Sequence, residues 1–263
     1  MPEGHTIHRL ARDQGRDLTG HAIATSVVQE RFSGGAEMLD GRVLHKVEAY
    51  GKHLFQWWDG ALVLHVHLGL FGRWRRRYTP AGPPVGEMRL RLEGPERTWD
   101  LSGATRCAIV SPDDRDAVIA RLGPDPLRSD ADHERMWVRV HRSRQAIGAL
   151  LMDQSVVAGI GNVYRAELLN IVGVDPRRPG RDLERTEFDA LWAETVRQLR
   201  LGVRRNKIVT VRRDELTRPA LRTARRDAVY VYRRETCRRC GSALDVFPLA
   251  VRRTWRCPIC QPR

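Results

Sequence analysis

Leu122-Gly123-Pro124-Asp125-Pro126-Leu127 divides the chain into two halves that follow different patterns. Each proline lacks a backbone N–H and has a fixed φ, so two of them this close interrupt helix and strand alike. On the N-terminal side, from Ala22 to about Val110, the pattern is that of short strands separated by turns. Asp59-Gly60 is a strong hairpin signal between Leu54-Phe55-Gln56-Trp57-Trp58 and Ala61-Leu62-Val63-Leu64. Leu90 and Leu92 alternate with Arg89 and Arg91, a turn follows at Gly94-Pro95, and the chain returns through Trp99 and Leu101. Many short strands of this kind predict a sandwich of antiparallel sheets. Ahead of them, Ile7, Leu10, Ala11 and Leu18 share one face of a helix closed by Thr19-Gly20.

On the C-terminal side the period becomes helical. Ile147, Leu150 and Leu151 mark one helix; Leu168, Leu169, Ile171 and Val172 mark another, ended by Gly173 and Pro176. Between them, Gln154-Ser155-Val156-Val157-Ala158-Gly159-Ile160-Gly161-Asn162 predicts a glycine-containing turn and a helix capped by Asn162, whose amides suit phosphate. Thr186 and Asp189 read as a capping box for a core helix carrying Phe188, Leu191, Trp192, Val196 and Leu199, stopped by Gly202. Residues 203–235 are dense in arginine and read as a mobile basic loop. Then Cys237-x2-Cys240 and Cys257-x2-Cys260, sixteen residues apart, match a four-thiolate zinc site. With every ligand a thiolate, the ion is expected to be structural, one Zn2+ per chain, and to supply folding free energy to a hairpin presenting Arg252 and Arg253. Its strands are expected at 243–247 and 250–256. The expected fold is α+β and multidomain: an N-terminal antiparallel β-sandwich with flanking helices (1–121), a helical helix-two-turn-helix domain (122–230) and a zinc-finger β-hairpin (231–263).

Composition points to the partner. Lys+Arg total 46 against 32 Asp+Glu, a formal charge of +14. Such a surplus suits a polyanion, nucleic acid above all, and most of it is arginine, whose planar fork matches phosphate. No apolar run approaches the ~20 residues of a membrane span. No membrane partner is expected, and the location is read as cytoplasmic.

The candidate chemistry begins at Met1-Pro2-Glu3-Gly4. With Met1 removed, Pro2 carries a secondary amine whose reference pKa, near ~8, leaves much more of it unprotonated than a lysine. It could attack an electrophilic carbon and form a Schiff base, with Glu3 as general acid or base. While joined to Met1, that nitrogen is an amide and cannot react. Met1, where retained, is expected to occupy part of the same site. His5, His8 and Arg9 flank this point and are expected to be solvated or to face phosphate. Lys52, beside Gly51 at a turn, could reach into a cleft. Gly69-Leu70-Phe71-Gly72 is an apolar tip followed by Arg73, Arg75, Arg76 and Arg77: either a wedge that enters a base stack or a buried turn. His65 and His67 share a strand face without an evident third ligand, which favours packing or DNA contact over a metal. Cys107 is expected to be buried and inert.

Taken in order, these fragments resemble one family over nearly the whole chain, the Fpg/Nei DNA glycosylases. The resemblance rests on Pro-Glu-Gly at 2–4, Tyr-Gly-Lys at 50–52, the Leu-Gly-Pro-Asp-Pro-Leu stretch, Gly-Ile-Gly-Asn-Val-Tyr at 159–164, Val-Tyr-Arg-Arg at 231–234 and Arg252 five residues before Cys257. It implies a bifunctional glycosylase and AP lyase acting as a monomer on damaged DNA, with the flipped base in a cleft between the two domains. By the same resemblance Pro2 attacks the sugar C1′, Glu3 assists proton transfer, and β,δ-elimination cuts the strand. Lys52, Asn162 and Arg252 contact the lesion-strand phosphates, and Leu70 and Phe71 fill the gap left by the base. His5-Thr6 departs from the formamidopyrimidine branch, and Arg106-Cys107 lacks that branch's inserted phenylalanine. Leu70-Phe71 is similar to the wedge of the endonuclease VIII branch, with Gly69 in place of a polar residue. Oxidised pyrimidines are therefore the expected substrates. The alternative is a zinc-finger DNA or lesion-binding protein without enzymatic activity.

Overall fold

A computed structural model describes residues 2–28, 30–84 and 86–262. The chain forms two compact units, Met1–Arg121 and Leu122–Arg263. The proline-rich stretch at the break is packed into the second unit. Gly123 N–H donates to Gln154 O at 2.9 Å, and Pro124 O accepts from Ala158 N–H at 3.0 Å. A Cβ on Gly123 would lie 2.3 Å from the Val156 carbonyl, so the contact requires glycine. The Met1 expectation lies outside the described residues.

The first unit runs α1 (Gly4–Leu18), β1 (Ala24–Ser26), α2 (Ser33–Leu39), β2 (Leu44–Tyr50), β3 (His53–Trp58), β4 (Leu62–His67), β5 (Arg73–Tyr78), β6 (Met88–Glu93), β7 (Arg97–Ser102), β8 (Arg106–Val110) and α3 (Pro112–Ala120). Among the described residues its strands form two four-stranded sheets, ordered β2-β3-β4-β8 and β1-β6-β7-β5. All their pairings are antiparallel. Leu54, Leu64 and Val66 of one sheet and Trp74, Leu90, Leu92, Trp99 and Leu101 of the other share one core with Ile7, Ala11 and Leu18 of α1, as expected of a sandwich. The outer face of the second sheet is less open than alternation suggests. Arg91 is 6% exposed and forks onto Asp100, its partner across the strands, at 2.7 and 3.1 Å. Helix α2 breaks the β pattern unannounced, because Gly34-Gly35 disguises it. The Phe32 ring occupies the space a Cβ on Gly35 would need.

The second unit contains α4 (His133–His141), α5 (Ile147–Leu150), α6 (Asn162–Val172), α7 (Arg185–Arg205), β9 (Asp245–Leu249) and β10 (Arg252–Arg256). Met136, Ile147, Val157, Leu168, Phe188 and Leu191 belong to its helical core. Four boundaries differ from expectation. The N-cap of α6 is Gly161, and Asn162 is the first helical residue. The capping box of α7 is Glu184 with Glu187, whose carboxylate accepts from Glu184 N–H at 2.9 Å, so Thr186 lies inside the first turn. That helix continues through Gly202, a residue whose helix propensity is poor but whose neighbours hold it, and ends at Asn206 with φ 50°. Strands β9 and β10 turn at Ala250 (φ 51°) and Val251 (φ 59°), not at 248–249. A two-residue turn with both φ positive normally takes Asn-Gly, so a β-branched residue here is strained.

A second core joins this hairpin to α6 through Val163, Ala166, Tyr230, Val231, Tyr232 and Trp255. The arginine-rich segment is anchored at intervals. Thr210 N–H donates to Ala228 O at 2.9 Å, and Lys207 Nζ reaches Thr223 O at 2.6 Å. Charge is divided unequally: residues 122–263 hold 29 Lys+Arg against 17 Asp+Glu, and residues 1–121 hold 17 against 15.

Candidate active site

Helix α1 is pinned at its C-terminal end by Gly20 N–H on Leu44 O (2.8 Å) and along its length by Gln56 Nε2 on Gln14 Oε1 (2.8 Å). Gln56 faces Val47 across the strands. The helix, traced back from Leu18 to Gly4, therefore follows β2 from Leu44 toward Tyr50. Fourteen helical steps cover about 21 Å and six strand steps about 20 Å. This brings Pro2 and Glu3 to the level of the Gly51-Lys52 turn. Pro2 is half-buried, and Glu3 is wholly buried in extended backbone (φ −124°, ψ 177°). His5 is buried as well, contrary to the expectation of a solvated ring, and burial pushes its pKa down to about 4. It is neutral at pH 7.

Tyr50 and His53 pair across the turn, where Gly51 takes φ 56° and Lys52 is half-buried. The same pairing supplies what the linear sequence hid, a third histidine beside His65 and His67. His53 Nδ1 lies 2.8 Å from His65 Nε2, the His53 and His67 ring centres are 4.9 Å apart, and His67 Nδ1 lies 2.9 Å from Thr105 Oγ1. Burial, reinforced by neighbouring cationic groups, pushes His53 down to about 4 and His65 to about 3. This trio does not converge on one point as metal ligands would. Its signal was available only through strand register, with His53 opposite His67 and Phe55 opposite His65.

β4 leads directly into the apolar tip. Gly72 N–H closes onto Leu68 O at 2.9 Å, and a Cβ on Gly72 would collide with that carbonyl at 2.2 Å. Leu70 is 44% exposed and Phe71 is 86% exposed. The buried-turn alternative fails. Since His53 and His67 are paired, this tip projects from the same end of the sheet as Lys52.

In the second unit, Asn162 and the β9–β10 hairpin are in contact. Asn162 Nδ2 donates to Arg253 O at 3.0 Å. Arg165, wholly buried, donates to Leu249 O (2.9 Å), Arg253 O (3.0 Å) and the Asn162 carboxamide oxygen. Arg252 and Arg253 are exposed. Glu167, also wholly buried, accepts from the N–H groups of Tyr230 (2.6 Å), Val231 (2.9 Å) and Tyr232 (2.8 Å) and from Thr210 Oγ1 (2.5 Å). Burial pushes its pKa up while these four donors pull it back. Neither Arg165 nor Glu167 was singled out from sequence, although each is a charged residue in an otherwise apolar helix.

Cys237, Cys240, Cys257 and Cys260 bring their sulfurs within 4.8 Å of one another, a group able to hold a metal ion. Cys240–Cys257 and Cys237–Cys260 are 3.3 and 3.9 Å apart, bracketing the ~3.8 Å edge of a tetrahedral site with metal–sulfur bonds of about 2.3 Å. Cys260 N–H donates to Cys257 Sγ at 3.3 Å, as suits a thiolate. Cys107 stands apart and is half-buried, not buried as expected, although desolvation still pushes its thiol up to about 12.

Residues 1–107 match the formamidopyrimidine-DNA glycosylase N-terminal domain, and residues 122–214 match the H2TH domain of the same enzymes. The chain is 46% identical to endonuclease 8 1 of Mycobacterium tuberculosis, covering 99% of this chain and 100% of that one. It is 31% identical to the probable endonuclease 8 2 of Streptomyces coelicolor, covering 99% and 94%. The Lactococcus lactis Fpg in complex with N7-benzyl-Fapy-dG DNA has the same fold, with a TM-score of 0.84 at 21% identity and complete coverage of both chains. The chain belongs to the Fpg/Nei family of DNA glycosylases.

Proposed function

We propose that this chain is a bifunctional DNA glycosylase and AP lyase that removes oxidised bases, pyrimidines preferred, from damaged DNA. The observation that carries the reading is the wholly buried Glu3 carboxyl beside Pro2. A buried carboxyl adjoining the nucleophile is placed to exchange a proton with the opening sugar. The Pro2 amine attacks C1′, the bond from C1′ to the base breaks, and the base leaves with a proton. Ring opening yields an iminium ion at Pro2. Loss of a C2′ proton then expels the 3′-phosphate (β-elimination), and δ-elimination expels the 5′-phosphate. Lys52, Asn162 and Arg252 bind lesion-strand phosphates, and Leu70 and Phe71 occupy the space vacated by the flipped base.

The four cysteines would hold one Zn2+ per chain. With four thiolates and no open position, it would stabilise the hairpin and take no part in the chemistry. We further propose that the protein works as a monomer in the cytoplasm, with the nucleoid. Among the described residues no helix is long and apolar enough to cross a membrane.

The test is borohydride trapping on DNA with an abasic site. Protein shown by mass spectrometry to begin at Pro2 should give a covalent adduct, and a form carrying a tag ahead of Pro2 should give none while keeping much of its DNA affinity. Glu3→Gln should lose base excision more than cleavage at a preformed abasic site. Trapping by an intact, N-terminally extended protein would move the nucleophile to a lysine, with Lys52 tested first. Absence of an adduct with every form would leave a DNA binder without lyase chemistry.

A further inference from the structure

Asn162 and Arg165 are one turn apart on α6, on the same helix face. A guanidinium only donates, so the Asn162 atom facing Arg165 Nη2 is the amide oxygen. A carbonyl only accepts, so the Asn162 atom facing Arg253 O is the amide nitrogen. The two neighbours therefore require the same amide orientation. Of the two hydrogens on that nitrogen, Arg253 O takes one.

Arg165 also grips the hairpin on both sides of its strained turn. Its guanidinium holds Leu249 O at the end of β9 and Arg253 O in β10, which bracket Ala250, Val251 and Arg252. Gly148 O lies at 3.4 Å from the same guanidinium. A buried cation is tolerated when its donors are used, and here the two terminal nitrogens meet three backbone carbonyls and the Asn162 side chain, all around the turn that carries Arg252.

We propose that Arg165 is a positioning residue for phosphate binding. It locks the Asn162 amide and the β9–β10 turn in one arrangement, so that Asn162 and Arg252 meet adjacent phosphates as a single rigid clamp. The inference rests on the reading of Asn162 and Arg252 as phosphate contacts. It extends that reading to a residue that touches no DNA.

The test is a double-mutant cycle of Arg165→Met with Arg252→Ala. Affinity is measured by anisotropy on a duplex carrying a tetrahydrofuran abasic analogue over a series of salt concentrations, with zinc content and circular dichroism recorded for each protein. Arg165→Met should retain zinc, weaken binding and flatten the salt dependence. In its background Arg252→Ala should cost at least about threefold less than in the parent, the coupling expected of residues within one network. Arg165→Lys, which keeps the cation but cannot span four acceptors, should fall between. Should Arg165→Met lose zinc, the cycle is read in Arg165→Lys. Equal losses from Arg252→Ala in the parent and in the folded Arg165 variant would overturn the inference alone. An Arg252→Ala protein with unchanged affinity and salt slope would overturn the clamp, and the inference with it.

Discussion

Phe71 holds its ring in water at 86% exposure, next to Leu70 at 44%, on a turn whose glycines admit no side chain. Among the described residues little covers that ring, as the proposed wedge requires. Replacing Leu70 and Phe71 together with alanine should slow excision from duplex DNA by about tenfold or more, because unstacking a base step costs a few kcal/mol. Excision from single-stranded DNA, measured in parallel, should change little; equal losses would count against the wedge. Three histidines, His5 and His65 buried and His53 half-buried, set a pH dependence of their own. His5, His53 and His65 are neutral in the fold, with pKa values pushed down to about 4, 4 and 3, against ~6.5 in an unfolded chain. As pH falls, the unfolded chain takes up these protons first. Their contribution is fully present above pH ~6.5 and is lost progressively down to about pH 4 for His5 and His53 and about pH 3 for His65. Denaturant unfolding across that range should show the decline, and His65→Phe should make it shallower.

Among the elements, the hairpin of β9 and β10 depends on its cysteines and on α6 at once. Cys257→Ser, or a strong chelator, should release the metal and lower both the stability of the hairpin and DNA affinity, without changing the trapping chemistry once DNA is bound. A parallel loss of trapping at saturating DNA would mean the metal acts on the reaction. The strands, the cysteine spacing and the breaks at Gly173 and 122–127 were legible because each has a local cause: alternation, ligand geometry, positive φ, or a missing N–H. The cap of α7 was misread because Thr186-Asp189 and Glu184-Glu187 offer the same i, i+3 pattern two residues apart, and tertiary packing chooses between them. His53, Arg165 and Glu167 were not legible as site residues. Their roles depend on partners 12 to 88 positions away, which only register and packing bring together.

At the scale of the whole molecule, the +14 charge predicts binding that weakens steeply with salt. Lys52→Ala and Arg252→Ala each remove one of the cations proposed to bind phosphate. Either change should reduce the slope of log K against log salt by about 0.9, with similar weakening on all sequences. An effect confined to one base context would make the residue a reader of bases. The division of charge between the units has a kinetic corollary. The first unit, with 17 basic and 15 acidic residues, has almost no long-range pull on DNA, whereas the second, with 29 and 17, creates an attractive field. Encounter should therefore be governed by the unit that does not carry the proposed nucleophile. On this division of charge the helical half would supply most of the electrostatic hold on intact duplex, and the sandwich little of it. Raising salt should shorten the distance scanned per encounter long before it slows the chemical step at a lesion already found.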